Sequence, residues 1–306
     1  MTVLAVTPAY EGGWERARRH AFLAGLLPAL IVLAAITVAP ALYLLVTSLT
    51  PLNLASPGTA FDFSHPLGNY QDLAADERFL DSIGTQLRLS VASVSMQLLV
   101  GLGVALLLNA RSAFLEAVRT AFLVPMVLPP IVVAVIWKVI YTPDVSPFHR
   151  VMDLLGYPVS SLITDASTAL WAIAFAETWQ WFPFTMLMVL AALQMIPNEP
   201  LEAATIDGAD RWQLFAYVIF PYIRPALVVA GLFRLIDSFK AFPLIYVLTG
   251  GGPGMATEVT NFYGFVQAFN FSYWGCASAI ATLMLAGVFF LSWAVGRLGW
   301  STHHHA

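Results

Sequence analysis

Six apolar stretches in this chain are each long enough to cross a bilayer as a helix, which takes about 20 mainly apolar residues. They lie at about 22–49, 86–109, 120–142, 169–193, 222–248 and 274–297. Charged residues make up only 10% of the chain and hydrophobic residues 59%, whereas a soluble domain has about 25% charged residues. The sequence therefore predicts an all-α polytopic membrane protein with six transmembrane helices.

The arginines predict the orientation, because cytoplasmic loops and tails carry an excess of lysine and arginine. Eight arginines lie in the tails and in the loops on the same side as the tails: Arg16, Arg18, Arg19, Arg111, Arg119, Arg211, Arg224 and Arg297. The opposite loops hold Arg78 and Arg150 beside several acidic residues. We therefore expect both termini in the cytoplasm, with an N-terminal tail at 1–21. The C-terminal tail, 298–306, ends in "HHHA", which resembles an expression-tag remnant.

One cytoplasmic connection, residues 199–221, is charged and helix-like although it lies between two apolar spans. Asn198 and Pro200 predict a helix start, with an N-cap side chain and an early proline. Gly208 predicts the helix end, because glycine accepts the left-handed backbone that helix ends often need. A second amphipathic stretch follows until Pro221 opens the next span. The pattern predicts a bent pair of short helices, and the residues alone leave open whether it is an ordinary interfacial loop or a docking segment.

The stretch "EAATIDGADRWQLFAYVIFP" resembles the EAA loop of binding-protein-dependent ABC importer permeases. Its EAA, DGA and hydrophobic-x-proline elements all match, and the departure is Phe220, where that family usually has leucine. A second stretch, "FRLIDSFKAFPLIYVLTGGGPGMATEVTNFYGF", resembles carbohydrate permeases of the maltose-transporter type. Because of "YVLTGGGPGMAT", the chain is more similar to the MalF-like subunit than to its MalG-like partner. The resemblance implies one permease domain at 22–297 with the type I ABC importer (MetI-like) fold.

The resemblance also implies partners. In that family the EAA helix docks on a cytoplasmic ATPase, which implies coupling residues Glu202, Ala203, Ala204, Asp207, Gly208 and Ala209. The other implied partners are a MalG-like second permease, an ATPase dimer, a periplasmic or lipid-anchored solute-binding protein and a sugar, at the inner (cytoplasmic) membrane. No G-x-x-x-x-G-K-[ST] motif occurs in the sequence. We therefore expect ATP and Mg on the partner ATPase, and no cofactor, metal site or catalytic residue in this chain.

Four ionisable residues stand out inside the predicted spans: Glu177, Arg234, Asp237 and Lys240. Each costs about 2.5–3.5 kcal/mol at the centre of a membrane helix, so they must pair or face a polar interior. Arg234 and Asp237 can pair directly, because residues three apart share a helix face. A structural ion pair and a polar patch along a transport pathway both remain open. Alignment with the maltose permease implies sugar contacts at Glu177, Gln180, Trp181, Phe184, Arg234, Asp237, Ser238 and Ala241.

Other functions and sites receive less support from the sequence. A self-sufficient secondary transporter or channel is the main alternative, but it predicts an internal repeat of the spans that we do not find. A membrane enzyme would need a catalytic cluster, and a net charge of −4 gives no argument for nucleic acid. His65 and His149 are expected to be solvated loop residues. Gly101 and Gly103 lie within a span and are expected to be helix-packing positions.

Overall fold

A computed structural model describes residues 11–110, 112–157 and 160–300. Arg111, the first ten residues and the tag-like end lie outside these ranges, and the side chains of Arg16 and Arg19 are likewise not described. Within them the chain is helical and has no β-strand. The helices are α1 (Glu11–Ser48), α2 (Gly68–Ala75), α3 (Glu77–Leu107), α4 (Ala113–Phe122), α5 (Val124–Val127), α6 (Pro130–Tyr141), α7 (Pro147–Leu154), α8 (Ala169–Gln194), α9 (Asn198–Ile206), α10 (Arg211–Gln213), α11 (Phe220–Ser238), α12 (Pro243–Leu248), α13 (Thr260–Phe265) and α14 (Trp274–Trp300).

Four helical stretches are long and apolar enough to cross a membrane: Ala21–Ser48, Glu77–Leu107, Arg211–Ser238 and Trp274–Ala294. Two bent pairs raise the number to six if each pair counts as one span. One pair joins Ala113–Val127 to Pro130–Tyr141 at 98°, and the other joins Ala169–Gln194 to Asn198–Ile206 at 75°. The all-α polytopic prediction is confirmed.

The third predicted span, 120–142, is not one helix. The structure breaks it at Leu128 and Pro129, both of which have extended ψ angles, of 138° and 137°. Two consecutive prolines explain the break, because proline lacks an N–H donor and disfavours helical backbone in the residue before it. Apolar length alone therefore does not locate the helix ends within this span.

The fifth predicted span, 222–248, is wrong at both ends. The helix runs without a break from Arg211 to Ser238, and α12 begins separately at Pro243. Leu214–Ile219 is a π-helical segment, in which the Phe220 N–H donates to the carbonyl five residues back. The wider π-helical turn carries the helix past Pro221, whose ring nitrogen has no hydrogen to donate.

The second span begins nine residues before its predicted start, because Asp76 caps α3. Its side chain accepts from the backbone N–H groups of Arg78 and Phe79, which is what an aspartate N-cap does. Arg78, expected in a loop, therefore lies in the first turn of α3. The expectation for His149 was also wrong, because its side chain is buried with only 1% exposure.

Helices α3 and α8 approach closely at Gly101. A methyl group on Gly101 would lie 2.5 Å from the Thr185 Cβ and 2.9 Å from the Phe182 carbonyl oxygen. Gly103 is exposed, and a methyl group there would have no neighbour within 4 Å. The packing prediction is therefore confirmed for Gly101 and wrong for Gly103.

Gly101→Ala is expected to lower the thermal unfolding midpoint of the detergent-solubilised protein, because the added methyl overpacks the α3–α8 contact by about 1–3 kcal/mol. Gly103→Ala is the matched control, since it adds the same group to the same helix at an open position. It should leave the midpoint unchanged or raise it slightly, because alanine is the better helix former. Equal midpoints for the two variants would contradict the close approach at Gly101.

An ion pair ties the start of α3 to the loop before α13. The Arg78 Nε and Nη2 atoms donate to the two Glu258 carboxylate oxygens at 2.7 and 2.8 Å. The Arg78 guanidinium also lies 5.5 Å from the centroid of the Tyr263 ring, whose hydroxyl donates to Asp76. The Glu258 side chain is only 4% exposed, so it depends on Arg78 for its charge partner.

Arg78→Leu is expected to lower the unfolding midpoint, because it leaves the buried Glu258 carboxylate without its partner. We expect a cost of about 1–3 kcal/mol, at the lower end because the Arg78 side chain is 39% exposed. Arg88→Leu is the control, since exposed Arg88 donates only to Gly84 and Thr85 of its own helix. If both variants lower the midpoint equally, the Arg78–Glu258 pair does not stabilise the fold.

Candidate functional site

Polar side chains from α3, α8 and α11 meet around the guanidinium of Arg234, whose residue exposure is 3%. Its Nε donates to Gln97 Oε1 at 2.8 Å, and its Nη1 donates to Asp237 Oδ2 at 2.7 Å. Its Nη2 lies 3.7 Å from Glu177 Oε1. One side chain therefore connects three helices, and the predicted pairing of Arg234 with Asp237 is confirmed. We call these four residues, together with the buried polar residues Gln86, Ser90, Ser93, Gln180 and Ser238, the polar cluster.

The aromatic residues of α8 border the polar cluster. The Arg234 guanidinium carbon lies 4.3 Å from the centroid of the Trp181 ring, within the range of a cation–π contact. Phe184 packs edge-on against Phe233 of α11, with ring centroids 6.2 Å apart. The guanidinium is thus covered by an aromatic ring as well as by carboxylates.

The eight residues predicted to contact sugar fall into two groups. Glu177, Gln180, Arg234 and Ser238 are buried, whereas Trp181, Phe184, Asp237 and Ala241 are partly exposed. The buried members bond to protein atoms: Gln180 Nε2 donates to the Leu128 carbonyl at 3.2 Å, and the Ser238 hydroxyl donates to Ser90 at 2.9 Å. Ala241 lies beyond the helix break and packs against an apolar core that contains Leu244 and Ile245. The partly exposed residues alone face outward in this structure.

Helix α3 contributes a buried polar face that was not predicted from the sequence. Gln86, Ser90, Ser93 and Gln97 are all buried, and their spacing of three and four residues places them on one helix face. Gln86 Nε2 donates to Ser90 and to the Ser238 carbonyl, each at 3.2 Å. Polar residues at helical spacing inside an apolar span are a readable signal, and it would have predicted this face.

Several polar atoms of the cluster have no hydrogen-bond partner among the described residues. They are Ser93 Oγ, Gln97 Nε2, Glu177 Oε2 and Gln180 Oε1. A buried polar atom without a hydrogen-bond partner destabilises the folded state by about 1–3 kcal/mol. Most buried polar atoms in folded proteins therefore have a partner. The cluster therefore retains unused hydrogen-bonding capacity between α3 and α8.

The charged segment between the fourth and fifth spans forms a sharp elbow, which we define as residues 199–213. Helix α9 takes Asn198 as its first residue, and Pro197 occupies the cap position without a side-chain bond, so the prediction of Asn198 as N-cap was wrong. The helix ends with Gly208 at a φ of 81°, which confirms the left-handed prediction. The Ala209 N–H donates to the Ala204 carbonyl and the Gly208 N–H to the Thr205 carbonyl, the bonding pattern of a Schellman motif.

The second half of the elbow begins with a capping box. The Asp210 carboxylate accepts from the Gln213 N–H at 2.8 Å, and the Gln213 side chain accepts from the Asp210 N–H at 2.9 Å. These reciprocal bonds fix the start of a helix. Because that helix continues through the π-helical segment into α11, the predicted second short helix is the N-terminal end of the fifth span.

The elbow presents a mixed surface. Of the predicted coupling residues, Glu202, Ala203, Asp207 and Gly208 are exposed, and Ala204 and Ala209 are partly buried. Ile206 is 85% exposed and Trp212 is 73% exposed. Large apolar side chains exposed beside charges are typical of protein interaction sites.

The elbow also lies between the two helices that carry most of the polar cluster. Helix α8 leads into it through Met195–Pro197, and α11 leads out of it. Glu177, Gln180, Trp181 and Phe184 are on α8, and Arg234, Asp237 and Ser238 are on α11. A force on the elbow would therefore reach both helices directly.

The profile of one protein family, the binding-protein-dependent transport system inner membrane component, matches residues 97–299. The chain belongs to this family. As a transport permease of this family, it is a multi-pass membrane protein, and the matched region contains the polar cluster from Gln97 onward together with the whole elbow. Membership favours a subunit of a binding-protein-dependent system over a self-sufficient secondary transporter or channel.

Similar permeases are named for sugar transport. The trehalose/maltose transport system permease protein MalF of Thermococcus litoralis is 38% identical over 218 residues, covering 71% of this chain and 73% of that protein. The trehalose transport system permease protein SugA of Mycobacterium tuberculosis is 35% identical over 272 residues, covering 89% and 85%. The sulfoquinovosyl glycerol transport system permease protein SmoG of Agrobacterium fabrum is 32% identical over 263 residues, covering 85% and 84%.

The fold of the permease matches a solved transporter structure. A chain of a bacterial ABC transporter involved in the import of the acidic polysaccharide alginate superposes with a TM-score of 0.78, covering 95% of this chain and 99% of that one. Sequence identity is 19%, so this likeness concerns the fold. It confirms the type I ABC importer (MetI-like) architecture.

Proposed function

We propose that this permease is one membrane subunit of an ATP-driven importer that carries a sugar or a sugar derivative. One observation carries the proposal: the exposed elbow joins, at a single point in the chain, the two helices that hold the polar cluster. The names of the related permeases, which refer to trehalose and maltose, support the substrate class.

The elbow is the proposed contact for a cytoplasmic ATPase. Glu202 and Asp207 offer charges, exposed Ile206 offers an apolar anchor, and small Ala203 and Ala204 permit close approach. Nucleotide chemistry belongs to the ATPase, which would hold ATP and Mg as a dimer. Closure of that dimer would pull on α9 and so on α8 and α11 together.

The wall formed by α8 and α11 is the proposed sugar contact. The exposed faces of Trp181 and Phe184 suit the apolar face of a sugar ring, and Asp237 suits its hydroxyl groups. Glu177, Gln180, Arg234 and Ser238 would join the contact surface when the helices separate, with Ala241 at its edge. Glu177 Oε2 and Gln180 Oε1, which have no hydrogen-bond partner among the described residues, support this role.

The remaining partners follow from the family. We propose a MalG-like second permease, a periplasmic or lipid-anchored solute-binding protein that docks on the outer loops, and a location in the inner membrane. Both termini would be cytoplasmic, which places the elbow on the same side as the ATPase.

Reconstitution tests the proposal. The complex of both permeases and the ATPase, placed in vesicles with ATP inside, should take up sugar only when the binding protein is added outside. A variant ATPase that cannot hydrolyse ATP is the control and should reduce uptake to background. Uptake that proceeds without ATP or without the binding protein would contradict the proposal and favour a secondary transporter.

A further inference from the structure

The charged groups of the polar cluster indicate which kind of sugar the wall formed by α8 and α11 accepts. We infer that it accepts an electroneutral sugar and disfavours an anionic one, an inference that rests on the proposed function. The question is open among similar proteins, since SugA is named for trehalose, an uncharged sugar, while the alginate transporter imports an acidic polysaccharide.

In this structure the Arg234 guanidinium is held by protein groups and is not open to an anion. Each of its three nitrogens faces a protein oxygen, on Gln97, Asp237 or Glu177. Its side chain is only 4% exposed, and the Trp181 ring covers it. A sulfate, phosphate or carboxylate group could reach the guanidinium only by displacing a carboxylate or amide that already holds it.

The charges at the wall already balance. Glu177 and Asp237 contribute two carboxylates, and Arg234 and Lys240 contribute two cations. Lys240 lies 3.7 Å from the Asp237 carboxylate and its side chain is 73% exposed, so it partners an acid that also faces the pathway. An anionic ligand would compete with Asp237 for Lys240 and would give the site a net negative charge.

The unpartnered atoms of the cluster on α8 also favour hydroxyl groups. Gln180 Nε2 donates to the Leu128 carbonyl, which orients the amide so that its oxygen is the free atom. Among the described residues, Gln180 Oε1 and Glu177 Oε2 have no hydrogen-bond partner, and both oxygens accept hydrogen bonds. A sugar hydroxyl can donate to them, whereas an ionised acid group cannot.

The test measures binding to the membrane complex itself, because a binding protein has its own selectivity. The complex in lipid nanodiscs, without binding protein, is dialysed to equilibrium against labelled trehalose, trehalose 6-phosphate or 6-O-acetyltrehalose. Trehalose should bind, and the 6-phosphate should bind at least about tenfold more weakly, roughly 1.4 kcal/mol. The acetyl derivative, which adds bulk without charge at the same position, should bind nearly as well as trehalose.

Charge variants complete the test. Asp237→Asn removes one negative charge and should narrow the gap between trehalose and its 6-phosphate, whereas Arg224→Ala, on an exposed part of the same helix, should not. The inference is overturned if trehalose 6-phosphate binds as tightly as trehalose or more tightly. It is also overturned if 6-O-acetyltrehalose binds as weakly as the 6-phosphate. If no probe binds while binding-protein-driven uptake proceeds, this wall is not the sugar site: the inference falls and the importer function stands. Loss of uptake in the reconstitution assay would instead contradict the importer function.

Discussion

Gly208→Pro is expected to abolish sugar uptake and transport-linked ATP hydrolysis while leaving the chain inserted in the membrane. Gly208 has a φ of 81°, and proline is fixed near −65°. The substitution also removes the Gly208 N–H that donates to Thr205. The end of α9 must therefore rearrange, and the elbow loses the conformation to which the ATPase is proposed to bind. Uptake in reconstituted vesicles and co-purification of the ATPase measure the two consequences.

Gly156→Pro is the matched control for this prediction. Gly156 has a φ of 80° and its N–H donates to the Asp153 carbonyl at the end of α7, so the local strain is the same. It lies in the loop between α7 and α8, on the side opposite the elbow by the predicted topology. This control should leave co-purification of the ATPase unchanged. Glu202→Lys should weaken ATPase association without any backbone strain, and normal transport by both elbow variants would remove the coupling role from the elbow.

Asp237→Ala is expected to reduce uptake severely, because it removes an exposed carboxylate of the wall and the closest charge partner of Arg234. Arg234 keeps Gln97 and Glu177 as partners and the Asp237 side chain is 39% exposed, so only a small part of the loss would come from stability. Arg224→Ala, on the same helix but exposed, should leave assembly and uptake near normal. Uptake, expression and ATPase co-purification are measured together.

The double variant Arg234→Ala with Asp237→Ala separates stability from transport. Removing both partners removes the unpaired Arg234 charge but leaves the buried Glu177 carboxylate without its nearest cation. The variant is therefore also made with Glu177→Gln, and in that background assembly with the ATPase should recover more than it does in Asp237→Ala. Uptake should stay low, because the wall has lost its polar groups. If the double variant assembles and transports normally, the pair has only a structural role and the assignment of the sugar site to α11 is wrong.

Apolar length and charge placement were enough to predict the fold class. What they could not predict is where helices break. Pro129 and Pro130 divide the third span, whereas Pro221 leaves the fifth intact because a π-helical segment precedes it. The same residue type thus has opposite outcomes, decided by hydrogen bonds that depend on the neighbouring backbone. The αL prediction for Gly208 succeeded because only a local conformation was at issue.

The candidate site was predicted in part for a related reason. The Arg234–Asp237 pair lies within one helix, so its spacing was sufficient to predict it. Contacts between helices, such as Gln97 with Arg234 and Ser90 with Ser238, depend on how α3 packs against its neighbours. Such partners are far apart in the sequence and cannot be predicted from residue spacing. The polar face of α3 was the sequence feature that could have indicated them.

Because the helix from Arg211 to Ser238 is unbroken, a small tilt at one end would move its other end by several ångströms, as in a lever arm. Its 28 residues correspond to a rod of about 42 Å at 1.5 Å per residue. If the rod pivots by about 10° at Arg211, its other end at Ser238 travels about 7 Å on the same helical dimensions. That displacement is larger than the lengths of the hydrogen bonds that join Arg234 to Gln97, 2.8 Å, and Ser238 to Ser90, 2.9 Å. The Arg234–Asp237 pair would stay intact, because both residues lie on the same moving helix. The hydrogen bonds to α3 would break and re-form each time the helix tilts and returns.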